Sequence, residues 1–152
     1  VANEETSLNN SSLQLIYILR SLSLKGYREE TVAAPPLNRT ITNYNIKTIE
    51  ANFADSKNNS NLPVTNVWIL DNKNKRYYQV NGTLGITPIS LNLKQFSSYT
   101  IMVELRNGDW GFVSPEEIDS KMFEPNETQV FKTKVLDKNL DTIGTLFKSV
   151  IP

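Results

Sequence analysis

At 152 residues the chain has the length of one domain whose core needs no disulfide or metal staple. Its 16 Lys and Arg balance 16 Asp and Glu, so no global field gathers phosphate backbones or anionic lipid. Cys and His are both absent, which removes thiolate nucleophiles, Ser-His and Cys-His pairs and the common zinc sets. The expectation is a protein that is not an enzyme, takes no cofactor or metal and has no nucleic-acid partner.

The chain opens on a polar stretch, VANEE, without an initiating Met, as a mature chain does once a signal peptide is removed. NNSSLQLIYILRSLSLKG follows, over residues 9–26, and passes from polar residues to an apolar run that stops at glycine. Residues 13–24 are too few to span a membrane and are broken by Arg20, Ser21 and Ser23. On a helical wheel Leu13, Leu15, Ile16, Tyr17, Ile18, Leu19 and Leu22 share no single stripe. As a strand, Leu13, Leu15, Tyr17 and Leu19 point one way and Ile16, Ile18, Leu22 and Leu24 the other, so both faces need burial. Ser11 or Ser12 as N-cap and Gly26 as C-cap argue for a helix, Ile-Tyr-Ile for a strand, and the reading leans to the strand.

Pro35-Pro36 then forms a stiff spacer. It divides residues 1–36, a tail comprising polar leader, apolar strand and spacer, from residues 37–152, a β-rich head. In the head, residues 40–53 alternate imperfectly, as a bulged strand would, and ADSKNNSNLP is a loop. A compact strand over residues 64–70 surrounds Trp68 and turns back through DNKNK into RYYQV. Residues 86–93 and 99–105 alternate cleanly, and Asn107-Gly108 predicts a hairpin that returns through Trp110 and Phe112. SPEEIDSKMF predicts a short helix, with Ser114 as N-cap, Pro115 first and Glu116 and Glu117 in the first turn. Two last strands are expected over residues 129–136 and 142–151.

LKQFSSYTIMV, residues 93–103, resembles the tyrosine-corner segment of fibronectin type III and related immunoglobulin-like domains. The resemblance implies an all-β, Greek-key sandwich in which Tyr99 is structural, its hydroxyl bonded to backbone at a corner between sheets. It also places Trp68 where a core tryptophan of such a sandwich could lie. DKNLD, residues 137–141, opens like a calcium loop, but Thr142 and Lys148 stand where that loop needs Gly and Glu, so a solvated turn is expected. Glu116-Glu117 and Glu29-Glu30 are better read as surface charge than as acid/base pairs.

Asn-x-Ser/Thr triplets at Asn9, Asn10, Asn38, Asn58, Asn81 and Asn126 are candidate N-glycan acceptors. They give the expectation of a secreted, extracellular or cell-surface protein. The apolar run on a Pro-Pro tether resembles, in layout, the donor-strand filament subunits of chaperone-usher and archaeal thread-like pilins. That layout implies a structural subunit of a filament or surface assembly, whose Leu13, Leu15, Ile16, Tyr17, Ile18, Leu19, Leu22 and Leu24 complete a neighbour's sandwich. Its partners would be copies of itself, with host or surface ligands besides. The alternative is a monomeric secreted adhesion or binding module in which the run folds onto its own sandwich, and a third reading is a phage or viral structural domain.

Overall fold

The computed structural model describes residues 15–30, 46–80, 88–94, 97–106, 108–121 and 128–136. In chain order these form helix α1 (residues 15–24), β1 (Arg28–Glu29), β2 (Ile46–Asp55), β3 (Val64–Asp71) and β4 (Arg76–Val80). There follow β5 (Ile89–Lys94), β6 (Tyr99–Leu105), β7 (Trp110–Val113), helix α2 (Pro115–Lys121) and β8 (Gln129–Leu136). The described chain is mostly β, in the hydrogen-bonded order β1-β4-β3-β6-β7-β8-β2-β5.

β8 joins two ladders. Its first residues pair with β2 in parallel, from Ala51↔Gln129 to Asp55↔Thr133, and its last pair with β7 in antiparallel, from Phe112↔Lys134 to Trp110↔Leu136. A strand that changes partner along its length lets one sheet fold back on itself. The first core lies in that fold: Ile49, Ala51 and Phe53 of β2 and Ile89, Leu91 and Leu93 of β5 meet Val67 and Ile69 of β3 and Ile101 and Val103 of β6. β5 shows why, since ISLNLK buries every second residue and exposes the ones between.

β3, β6 and β7 carry apolar residues on both faces, and their second face forms a separate core of Trp68, Leu70, Met102, Trp110 and Phe112 with Tyr77 of β4. Ile18, Leu22 and Tyr27 cover it. Two readings change here. Residues 15–24 are a helix rather than a strand, because the stripe Leu15, Ile18, Leu19 and Leu22 recurs at helical spacing and finds an apolar sheet face to cover. Trp68 lies in this second core, between sheet and α1, and not between the two ladders.

Turn chemistry fixes the strand ends. Asp71 Oδ1 accepts the backbone N–H of Lys73 and Asn74, each at 3.1 Å, which closes the β3–β4 turn with Lys75 at φ +55°. β6 and β7 join at Gly108, whose φ of +89° glycine adopts without strain. At α2, Ser114 Oγ accepts the Glu117 N–H at 3.4 Å, and Ile118 turns into the first core. Glu117 Oε2 also accepts the Lys132 N–H at 2.8 Å and faces Lys121 Nζ at 3.6 Å, fastening α2 to β8.

β2 runs without the expected bulge from Ile46 to Ala51 against β5; the register shift falls in β3, between Val64 and Asn66. The polar leader, Leu13, Pro35-Pro36, residues 40–45, the DKNLD turn and the strand expected over residues 142–151 lie outside the described residues.

Candidate interaction surface

α1 ends in a Schellman motif. Gly26, at φ +92°, takes the left-handed position; its N–H donates to Ser23 O at 3.0 Å, and the Tyr27 N–H donates to Leu22 O at 2.9 Å. The hydrophobic contact that accompanies such a cap joins Leu22 and Tyr27, both in the second core. The C-cap turns the chain from a helix lying on the sheet into β1, which lies beside the sheet's edge strand.

Tyr27 is the anchor of that turn. Its hydroxyl donates to Asn72 Oδ1 at 2.7 Å, and Asn72 Nδ2 donates onward to Thr100 Oγ1 at 3.0 Å. Asn72 is buried, so this chain of bonds meets the desolvation that would otherwise penalise its amide. Burial, and then the nearby Asp71 carboxylate, push the Tyr27 phenol up from its ordinary value. Lys75 Nζ stands 4.9 Å over the Tyr27 ring. β1 adds two backbone bonds to the edge, Arg28 N–H to Lys75 O at 3.0 Å and Glu30 N–H to Tyr77 O at 2.7 Å.

Beneath α1, Trp68 and Trp110 rest against each other with ring centroids 5.3 Å apart and planes tilted by 43°. The Trp110 Nε1–H is buried with no hydrogen-bond partner among the described residues. Past this pair a polar ladder crosses three strands on the same face: Gln79 Nε2 donates to Asn66 Oδ1 at 2.8 Å and Asn66 Nδ2 to Glu104 Oε1 at 2.7 Å.

The outward side of α1 is unlike an ordinary solvent face. Leu24 is 90% exposed, Ile16 47% and Tyr17 38%. Of the apolar residues read from the sequence as an interface, Ile18 and Leu22 are therefore fully buried within this chain, Leu15 and Leu19 pack beside them, and Ile16, Tyr17 and Leu24 face outward. Arg20 and Lys25 share that exposure, and Arg28, Lys73, Lys75 and Arg76 are exposed around the C-terminal end of the helix. A Cβ placed on Gly26 would lie 3.6 Å from Lys75 Cδ, which shows how closely the β3–β4 turn approaches the helix end. Arg28 and Arg76 are direct partners in the β1–β4 register.

Tyr99 sits at the start of β6, and its hydroxyl accepts the Lys94 N–H at 2.9 Å, tying the end of β5 to the next strand. Burial raises its phenol, while the Lys94 bond lowers it. Tyr78 is pushed up to about 12, first by burial and then by Tyr99, Glu30 and Asp71. Asn58 is the one glycan candidate among the described residues; it is exposed, and its Oδ1 accepts the Ser60 N–H at 3.0 Å and the Ser60 hydroxyl at 2.6 Å. Asn9, Asn10, Asn38, Asn81 and Asn126 lie outside those residues.

Sequence reasoning missed the Tyr27–Asn72 link, although a tyrosine directly after a helix-ending glycine is the C″ residue whose contact closes such a cap. Among the described residues no group of three acidic side chains could hold a metal ion, and no helix is long and apolar enough to cross a membrane. No protein-family model, curated protein or solved structure matches the chain.

Proposed function

We propose that the chain is a non-catalytic, secreted or cell-surface binding module built on an immunoglobulin-like Greek-key sandwich, with α1 folded onto its own sheet. The sandwich reading is supported by the pairing of β2 with β5 and of β3 with β4 and β6, by the first core between these ladders, and by the Tyr99–Lys94 bond at the β5–β6 corner. One departure from the usual arrangement is that β8, late in the sequence, bridges the ladders and runs parallel to β2.

The observation that carries the choice of module over filament is the complete burial of Ile18 and Leu22 against Trp68, Met102 and their neighbours. A segment that satisfies its apolar stripe at home has no strand to lend, whereas a donor strand would leave its own domain unfilled. The exposed sequon at Asn58 accords with the extracellular part of the reading, since a glycan there meets no core.

Sedimentation of the native protein tests this directly. A monomer at all concentrations, unfolded or loosened by deletion of residues 1–26, is the expected result. Concentration-dependent polymers that disappear on that deletion would replace it with the filament reading. Glycan mass on the Asn58 peptide from the native source is expected as well, and an unmodified peptide would count against the extracellular assignment.

A further inference from the structure

The balanced net charge of the chain conceals a local separation. Residues 15–28 contain Arg20, Lys25 and Arg28 and no carboxylate, and the β3–β4 turn beside them adds Lys73, Lys75 and Arg76. None of these six cations is salt-bridged to a described carboxylate. Among the described residues, the acids adjoining this cluster in sequence are Glu29 and Glu30, on and just after β1, and Asp71, which is buried and occupied by hydrogen bonds from Lys73, Asn74 and Ser97. Arg28 opposite Arg76 is moreover a like-charge pair, an arrangement that weakens strand pairing unless an anion lies near.

The same face carries the exposed apolar residues of α1. Tyr17 and Leu24 are separated by seven positions and so stand on one side of the helix about 10 Å apart, with Arg20 between them and Ile16 beside them. Apolar side chains on the outward face of a helix, flanked by cations, are the pattern of a helix that lies in a lipid interface rather than across it. A second copy fits less well, because a two-fold contact through this face would set the same cations against each other.

We propose that this face docks on an anionic lipid surface, with α1 parallel to the membrane plane, Ile16, Tyr17 and Leu24 in the interfacial layer, and Arg20, Lys25 and Lys75 among the lipid phosphates. The inference rests on the reading of α1 as folded onto its own sheet, and it names the partner of that module. The inward stripe of α1 stays on the second core, so docking needs no unfolding of the helix.

Flotation of the intact chain with vesicles of phosphatidylcholine, alone or mixed with phosphatidylglycerol, tests it. Binding is expected to the mixed vesicles and not to phosphatidylcholine alone, and to weaken with added salt. Arg20→Gln and Lys25→Gln should each lower the partition coefficient about fivefold, and Ile16→Ser with Leu24→Ser should abolish binding while leaving the thermal transition in place. No binding to mixed vesicles by a folded monomer, equal binding to both vesicle types, or binding unchanged by Ile16→Ser with Leu24→Ser would each overturn the proposal and leave the module reading standing. Self-association lost in that double variant, without vesicle binding, would assign the face to a second copy instead.

Discussion

Gly111 illustrates how much one residue can decide. It lies on β7 between Val103 and Thr133, and a Cβ added there would stand 2.6 Å from Thr133 Cγ2 and 3.1 Å from Val103 Cγ2. Both neighbours are fully buried, so neither can swing into solvent. Gly111→Ala is expected to destabilise the fold by about 1–3 kcal/mol in urea unfolding, and Thr133→Ser in the same chain, by removing Cγ2, should recover part of the loss. An unaltered midpoint in the single variant would show that the strands part more easily than their packing implies. Tyr99 acts at the same scale with a different instrument, since its hydroxyl gives the Lys94 N–H an acceptor where the chain leaves one ladder for the other.

Among the elements, several described strands of the head were readable in sequence, although the bulge read into residues 40–53 is absent from β2. Residues 129–136 and the strands around Trp68, Tyr77 and Ile101 alternate or cluster in ways that tertiary packing only completes. α2 was readable from Ser114, Pro115 and the two glutamates for local reasons as well. α1 was not. Its docking stripe Leu15, Ile18, Leu19, Leu22 is present in the sequence, but Ile16, Tyr17 and Leu24 blur it, and only the sheet face opposite decides which residues count as the apolar side. The inference that both faces of the run need burial does not hold within this chain, where Ile18 and Leu22 are buried and Ile16, Tyr17 and Leu24 face outward, and the run is a helix rather than a strand. Ile18→Ala and Leu22→Ala should each cost about 2–5 kcal/mol and expose the second core to a hydrophobic dye. If either variant matches the parent in stability, α1 contributes little to holding that face.

For the molecule as a whole, alkaline pH works against this packing. Tyr78 is raised from 10 to about 12, and Tyr27, Tyr77 and Tyr99 shift in the same direction, each chiefly through burial. Below pH 10 the Tyr78 phenol keeps its proton whether the chain is folded or not. From pH 10 to about 12 the unfolded chain loses that proton and the folded chain retains it, so stability falls as pH rises through this window. Denaturation midpoints measured across it should decline, and less steeply in Tyr78→Phe; a slope identical in that variant would remove Tyr78 from the account.

The partner change along β8 also has a consequence in time. Synthesis delivers the chain from its amino end, so β2, β3, β5, β6 and β7 are all made before Gln129–Leu136 can link Ala51–Asp55 on one side to Trp110–Phe112 on the other. Until then the described edges of β2 and β7 that β8 pairs lack that partner. Because β8 is the latest of the described strands, the bridge that encloses the first core is completed only once Gln129–Leu136 has been made.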